Sequence, residues 1–323
     1  MYDFVSIGEI LIDFTPCGTS EKGASHYQQN PGGAPANVAC VMAKLGRKAA
    51  FIGKVGSDSF GYACKQALED AGCDASHLVF SDTEHTTLAF VTLSPDGDRD
   101  FSFYRNHTTA DVNLTIDDIP DEIYGGTRFF HFGSVSQAQE PSRTTMVEAV
   151  KKARAAGAVV SYDPNLRERL WADLDEAKEI ILASLPLCDM LKISGEEKEF
   201  LFGELDEDEV GRKLNGEYGI PFAVITKGRE GCTAFVNGRR FDSPAYDVET
   251  IDTTGAGDSF WAGIMLTLLE SGKRPEELTG EELAAMLTFA NALGSLVTTK
   301  RGAIAAIPER GEIEALIASG KTL

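Results

Sequence analysis

The chain has 323 residues, 43% of them hydrophobic and 25% charged, with a formal net charge of −20 at pH 7. This is the composition of a soluble globular protein with room for one large α/β domain or two smaller ones, and it excludes disorder as the governing state. So large an acidic excess argues against nucleic acid or an anionic membrane surface as partner, and no stretch approaches the roughly 18–20 uninterrupted apolar residues of a membrane span.

The opening MYDFVSIGEI has neither the basic nor the long apolar region of a secretory signal, so the cytoplasm is the expected compartment. Residues 4–7 form a short apolar run that reads as a strand, and 10–14 and a stretch around 26–29 also look extended. Val38, Val41, Met42 and Leu45 mark one helix face, and residues 49–52 the next strand. Residues 87–93 and 101–105 read as paired strands around the turn-rich Ser94-Pro95-Asp96-Gly97-Asp98. A strand at 129–132 precedes a helix marked by Met146, Val147, Val150 and Ala153 and closed at Gly157. Further strands are expected at 159–162, 190–193 and 222–226, and helices from Phe260 to Leu269 and over 281–297. Such alternation implies a mostly parallel sheet with helices on both faces, whose binding sites lie at the carboxyl ends of the strands.

The hairpin breaks that rhythm. With strands from about 10–30 and 87–105, it suggests a small β layer projecting from a single domain spanning 1–323. Such a layer suits a lid that excludes water from a reaction; an ornamental hairpin or a dimer contact has the same pattern. The six cysteines form no Cys-x-x-Cys pair and the five histidines no His-x-x-x-His pair. Reduced, buried thiols and no catalytic zinc are therefore expected.

Two glycine-rich runs carry the chemistry. Pro31-Gly32-Gly33-Ala34-Pro35-Ala36-Asn37-Val38-Ala39 lets the backbone approach a ligand and offers the Asn37 amide as donor and acceptor; a plain turn and cap reads the same way. Asp252-Thr253-Thr254-Gly255-Ala256-Gly257-Asp258-Ser259-Phe260 opens directly into an apolar helix. Its unpaired N–H groups and the positive helix end make an anion site. A carboxylate at the mouth of that site repels phosphate, so Asp258 needs another reason to be there. General-base work on an attacking hydroxyl is one, and an ordinary helix cap is the other. No Walker loop, dinucleotide fingerprint or protein-kinase motif set is present.

The second run resembles the second signature of the ribokinase-like carbohydrate kinases, the PfkB family, and the first run resembles that family's first signature. Gly8-Glu9-Ile10-Leu11-Ile12-Asp13-Phe14, Phe51-Ile52-Gly53-Lys54-Val55-Gly56, Phe103-Tyr104-Arg105-Asn106, Ser161-Tyr162-Asp163-Pro164-Asn165-Leu166-Arg167 and Lys192-Ile193-Ser194-Gly195-Glu196-Glu197 extend the likeness over the whole chain, with the texture of bacterial and plant fructokinases. The resemblance implies the ribokinase-like fold with a β lid, and a role for each matching residue. Asp13, Gly32, Gly33 and Asn37 would bind the sugar. Asp258 would take the proton of its hydroxyl, and the backbone of Gly255, Ala256 and Gly257 would cradle the transferring phosphoryl group. Arg105 would pair with that group or orient the sugar; a surface arginine on a hairpin fits the same sequence.

By the same resemblance Asn165, Lys192, Thr226, Gly228, Gly231 and Asn291 would line the nucleotide, although a hairpin turn into 232–236 explains Gly228 and Gly231 equally well. Glu197 would hold Mg²⁺ through water or serve as a helix-start acid. Asp252, Thr254 and Gly302 occupy the places of a K⁺ site. Two departures stand out. Ser194 replaces the asparagine of the usual Asn-x-x-Glu pattern, and His107, expected to be exposed, replaces a common proline. The implied activity is ATP-dependent phosphorylation of the 6-hydroxyl of D-fructose by direct in-line transfer, with ATP, Mg²⁺ and K⁺ as cofactors and a homodimer through the lid. A kinase of another furanoside (a riboside or another ketose) and a non-catalytic sugar-binding regulator are the alternatives.

Overall fold

The computed structural model describes residues 1–93 and 99–323; the predicted turn at 94–98 lies outside them. The first half runs β1 (Phe4–Ile7), β2 (Leu11–Thr19), β3 (Ser25–Gly32), α1 (Ala34–Lys44), β4 (Ala49–Gly56), α2 (Ser59–Asp70), β5 (Leu78–Ser81), β6 (Leu88–Leu93), β7 (Arg99–Tyr104), β8 (Phe129–Phe132), α3 (Ser142–Ala155) and β9 (Val159–Tyr162). The second half continues through α4 (Leu174–Ser184), β10 (Met190–Ser194), α5 (Gly195–Phe202), α6 (Glu207–Gly216), β11 (Phe222–Thr226), β12 (Cys232–Val236), β13 (Arg239–Ser243), α7 (Ala256–Ser271), α8 (Gly280–Val297) and α9 (Arg310–Ser319).

Nine strands form one sheet in the order β13-β12-β11-β10-β9-β8-β1-β4-β5. It is parallel from β11 to β5, with β12 and β13 added antiparallel at one edge. Strand side chains alternate between two cores. Phe4 and Met190 pack on one face with residues of α1, α7 and α8, while Val5 and Leu191 pack on the other with residues of α3 and α6. The apolar runs read as strands are thus buried on both faces, as parallel strands between helix layers must be. β5 and β13 carry little sequence signal: one is four residues long at a sheet edge, and the other, RRFDS, is largely exposed.

The remaining strands make a separate four-stranded sheet, β3-β2-β6-β7. Its two faces differ. Leu11, Asp13 and Phe103 face a cavity against the main sheet. On the opposite face Phe14 stacks on Phe90 at 4.8 Å, and Tyr27 and Tyr104 pack edge-on to Phe90. Cys17, at the far end of β2, is exposed, against the expectation of a buried thiol; the other five cysteines are buried and free.

Candidate active site

The loop before α7 is held by Asp252, whose Oδ1 accepts the Thr254 N–H at 2.8 Å and whose Oδ2 accepts the Gly302 N–H at 3.1 Å. The residues expected around a monovalent cation therefore do come together. Gly255 caps α7 in the left-handed region, at φ +77°, where a Cβ would sit 2.6 Å from the Ala303 Cβ. Only glycine allows that approach. Helix geometry leaves the Gly257 and Asp258 N–H groups without intrahelical acceptors at the positive end of the helix. The Ala256 N–H, expected in the cradle, instead donates to the Thr253 carbonyl at 3.2 Å. Lys192 supplies a cation here, because a Cβ on Gly257 would lie 3.3 Å from its Nζ.

Asp258 is buried and oriented by two amides: Asn37 Nδ2 donates to Oδ2 at 2.8 Å, and Asn165 Nδ2 donates to Oδ1 at 3.2 Å. Asn165 takes up this position from a left-handed backbone, φ +49°, a conformation asparagine tolerates better than most residues. Burial, reinforced by the Asp163 charge, raises the Asp258 carboxyl to about 6, against the pull of Asn37 and Lys192. A helix cap would instead direct its oxygens at its own first-turn N–H groups. These oxygens point to amides from two other segments.

Asp258 opens onto a cavity of about 350 Å³ lined by Asp13, Gly33, Asn37, Asn165, Arg167 and Lys192, among others. The Asn37 Oδ1 is buried with no hydrogen-bond partner among the described residues. Burial also raises Asp13 to about 6, opposed by Arg167 and assisted by Asp252. Gly32 lies against Asp13, with a Cβ position 3.1 Å from Oδ2, and Gly33 lets the chain pass the Glu9 carbonyl where a Cβ would be 2.5 Å away. Arg105 is no surface residue: its side chain is fully buried and its Nε donates to Asp111 Oδ2 at 2.6 Å. It lies outside the cavity wall. His107 is exposed, as expected.

A second cavity, about 300 Å³, lies on the other side of the same loop, with Thr226, Gly228, Gly231, Tyr246, Val248 and Asn291 in its wall. Thr253 and Gly257 belong to both cavities. Asn291 donates to Ser243 Oγ at 3.0 Å, which fixes its amide at the cavity edge. The two glycines of this loop differ. A Cβ on Gly231 would meet the Ser243 carbonyl, whereas Gly228, at φ +56°, has nothing within 4 Å of its Cβ position. The hairpin therefore explains Gly231, and Gly228 borders open space.

Behind the wall of the first cavity, reached through Lys192, lies a buried acid–base cluster. Lys192 Nζ donates to Asp163 Oδ2 at 2.7 Å. Burial works against the Lys192 charge, but Asp163, Glu197 and Asp258 raise its pKa. Glu197 forms a capping box with Ser194 and also accepts the Leu166 N–H at 2.7 Å. Ser194 thus does the capping that its asparagine counterpart would do. Burial and Asp163 raise the Glu197 pKa. Asp163 Oδ1 is buried with no hydrogen-bond partner among the described residues. Asp163, Arg167 and Glu9 stand within the sequence motifs with no role of their own assigned by them. Glu9 and Arg167 line the first cavity and Asp163 pairs with Lys192; for Glu9 and Asp163 the available signal was an acid just past the end of an apolar strand. No group of three or more His, Cys, Asp or Glu residues able to hold a metal occurs among the described residues.

Residues 1–310 match the profile of the pfkB family carbohydrate kinases. The chain is 42% identical over 317 residues to fructokinase-1 of Zea mays, covering 97% of each chain. Its fold is similar to that of the Xylella fastidiosa fructokinase with bound ATP, at a TM-score of 0.90 and 31% identity, covering 98% of each chain. It is also similar to a double mutant of the Vibrio cholerae O395 fructokinase in its fructose, ADP and potassium ion bound form, at a TM-score of 0.87 and 33% identity over 97% of each chain. These likenesses extend to the ribokinase-like architecture, including the small separate sheet.

Proposed function

The chain belongs to the pfkB family of carbohydrate kinases, and on that premise we propose that it is an ATP-dependent fructokinase that transfers the γ-phosphoryl group directly to the 6-hydroxyl of D-fructose. The observation that carries this reading is the meeting of the two cavities at Thr253 and Gly257, with Asp258, the next residue, in the wall of the first. A sugar on one side and a nucleotide on the other would bring hydroxyl and γ-phosphate to one loop. Positioning of this kind accounts for most of the catalysis in phosphoryl transfer.

Asp258 is the base. Its amide partners Asn37 and Asn165 hold both oxygens toward the acceptor hydroxyl, and a group that ionises near 6 is charged at neutral pH yet still basic enough to take a proton. Asp13 and Asn37 accept sugar hydroxyls. The Gly257 and Asp258 N–H groups, the α7 dipole and Lys192 offset charge on the phosphoryl oxygens. The mainly apolar second cavity takes the base, with Asn291 at its edge. Gly228 lies open to the phosphates.

Mg²⁺ fits the buried Asp163 Oδ1, which lacks a partner among the described residues, and Glu197 beside it. Both would hold the ion through its water shell, as befits a cation that arrives with the nucleotide. When bound, Mg²⁺ neutralises phosphate charge in a protein of net charge −20. K⁺ is assigned to the Asp252–Thr254 loop and the turn at Gly302. The aromatic outer face of the lid supports a homodimer through that sheet. No helix of the described residues is long and apolar enough to cross a membrane, and we place the enzyme in the cytoplasm.

The test is ADP release from purified protein with Mg-ATP and fructose, glucose, mannose, ribose or adenosine, with Asp258→Asn as control. Fructose-selective turnover that the variant lacks supports the assignment. Turnover on another acceptor keeps the mechanism and replaces the substrate. Sugar binding without ADP release points to a regulator.

A further inference from the structure

Glu9, in the turn between β1 and β2, is 3% exposed, and it lines the sugar-side cavity beside Asp13. Its place is built. The Ser136 hydroxyl donates to Oε2 at 3.2 Å, and Gly33 exists in a form that lets α1 begin against the Glu9 carbonyl. A carboxylate on a cavity wall with so little solvent contact lacks the hydration that would stabilise its charge.

Arg105 offers a partial remedy. It comes from the end of the lid hairpin and is pinned to Asp111, whose Oδ1 also accepts the Thr87 hydroxyl at 2.6 Å. Both of its η nitrogens are buried without hydrogen-bond partners among the described residues. Buried guanidinium donors left unused are costly, and their charge is available to a neighbouring anion.

The other charged groups around Glu9 divide in sign: Asp13 and Asp258, which oppose its ionisation, and Arg167 and Lys192, which favour it, line the same cavity, while Asp111 and Arg105 act from behind its wall. Burial dominates and raises the carboxyl to about 7, with Arg105 lowering it and Asp111 raising it.

We propose that Glu9 is a specificity-determining sugar-binding residue: its carboxylate accepts a hydrogen bond from a hydroxyl of the bound sugar, and Arg105, behind the wall, acts through it as a positioning residue. The assignment rests on the sugar-kinase reading. Ser136 supplies one hydroxyl donor to Oε2, and a carboxylate has acceptor sites to spare, so a sugar hydroxyl on the cavity side adds a second.

The experiment compares wild type and Glu9→Gln with the sugar that wild type turns over, after thermal melts show both folded. The expected result is a rise of about 10–100-fold in the sugar KM, the range for a hydrogen bond to a charged group, with the KM for ATP within twofold. The acid limb of kcat/KM for the sugar, centred near 7 in wild type, should move toward 6 in the variant, where Asp13 and Asp258 remain. One monodeoxy analogue of the sugar should lose a similar factor on wild type and nothing further on the variant. A purely structural role for Glu9 would move neither the limb nor the analogue pattern. An unchanged sugar KM and limb overturn the assignment and leave the kinase reading intact. Failure of wild type to phosphorylate any sugar overturns the kinase reading, and this assignment with it.

Discussion

As the proposed base, Asp258 would work only when ionised, yet burial and Asp163 bias it toward the protonated form. Its activity therefore depends on pH with a definite sign: kcat is expected to be flat above neutrality and to fall as pH drops through about 6. Asp258→Asn removes the proton acceptor and leaves the anion loop, so kcat should fall roughly 10²–10⁴-fold with little change in nucleotide affinity. Near-normal turnover in a steady-state assay would reject the assignment. Asp13 makes a separate point about stability. Its carboxyl is raised from 3.8 to about 6, so across that window the folded state binds the extra proton and stability falls as pH rises. Above the window the cost is constant, and below it the cost vanishes. Asp13→Asn is thus expected to raise Tm by a few degrees at pH 7, to show no gain below about pH 3.8, and to raise the sugar KM. A melt series across pH that shows no gain at any value would discard this account.

Among the elements, α7 and the β11–β12 hairpin show what their glycines are for. Gly255 and Gly231 both have positive φ and a Cβ position blocked by neighbouring atoms; Gly228 has positive φ alone. Gly231→Ala and Gly255→Ala should therefore lower Tm strongly, since a left-handed alanine costs roughly 1–2 kcal/mol and the clash adds to it. Gly255→Ala should also raise the KM for ATP. Gly228→Ala should cost only the backbone term. Equal melting temperatures for the Gly228 and Gly231 variants would refute the distinction. At this scale the sequence was legible where pattern and burial agree. Strands β1, β8, β9 and β11 lie where their apolar runs predict, whereas polar β13 is recruited by pairing with β12 and has no periodicity of its own.

For the molecule as a whole, the small sheet turns one face to the cavity at Asp258 and carries Tyr27, 42% exposed, and Tyr104, 63% exposed, on the other. Exposed aromatics clustered around Phe90 are costly to leave in water. A second copy of the sheet would cover them. Sedimentation analysis is expected to give a dimer for wild type and a monomer for a Tyr27→Glu, Tyr104→Glu double variant, with the site residues untouched. A monomeric wild type at micromolar concentration would remove the dimer from the proposal.

By itself the sequence determined the layered α/β architecture, because strand runs buried on both faces and amphipathic helices leave few other ways to bury apolar surface. It also located the anion loop, since two glycines and an aspartate opening an apolar helix state their chemistry locally. What it left undetermined was contact over long separations. That Asp258 takes its donors from Asn37 and Asn165, that Lys192 reaches Gly257 from a strand, and that Glu9 lines the same cavity as Asp258 all follow from the packing of β1, β9, β10, α1 and α7 around one crevice. Each of these residues has an ordinary local explanation as a cap, a strand end or a surface charge. Only the tertiary structure sets the burial and the neighbouring charges that decide their ionisation, and hence their roles.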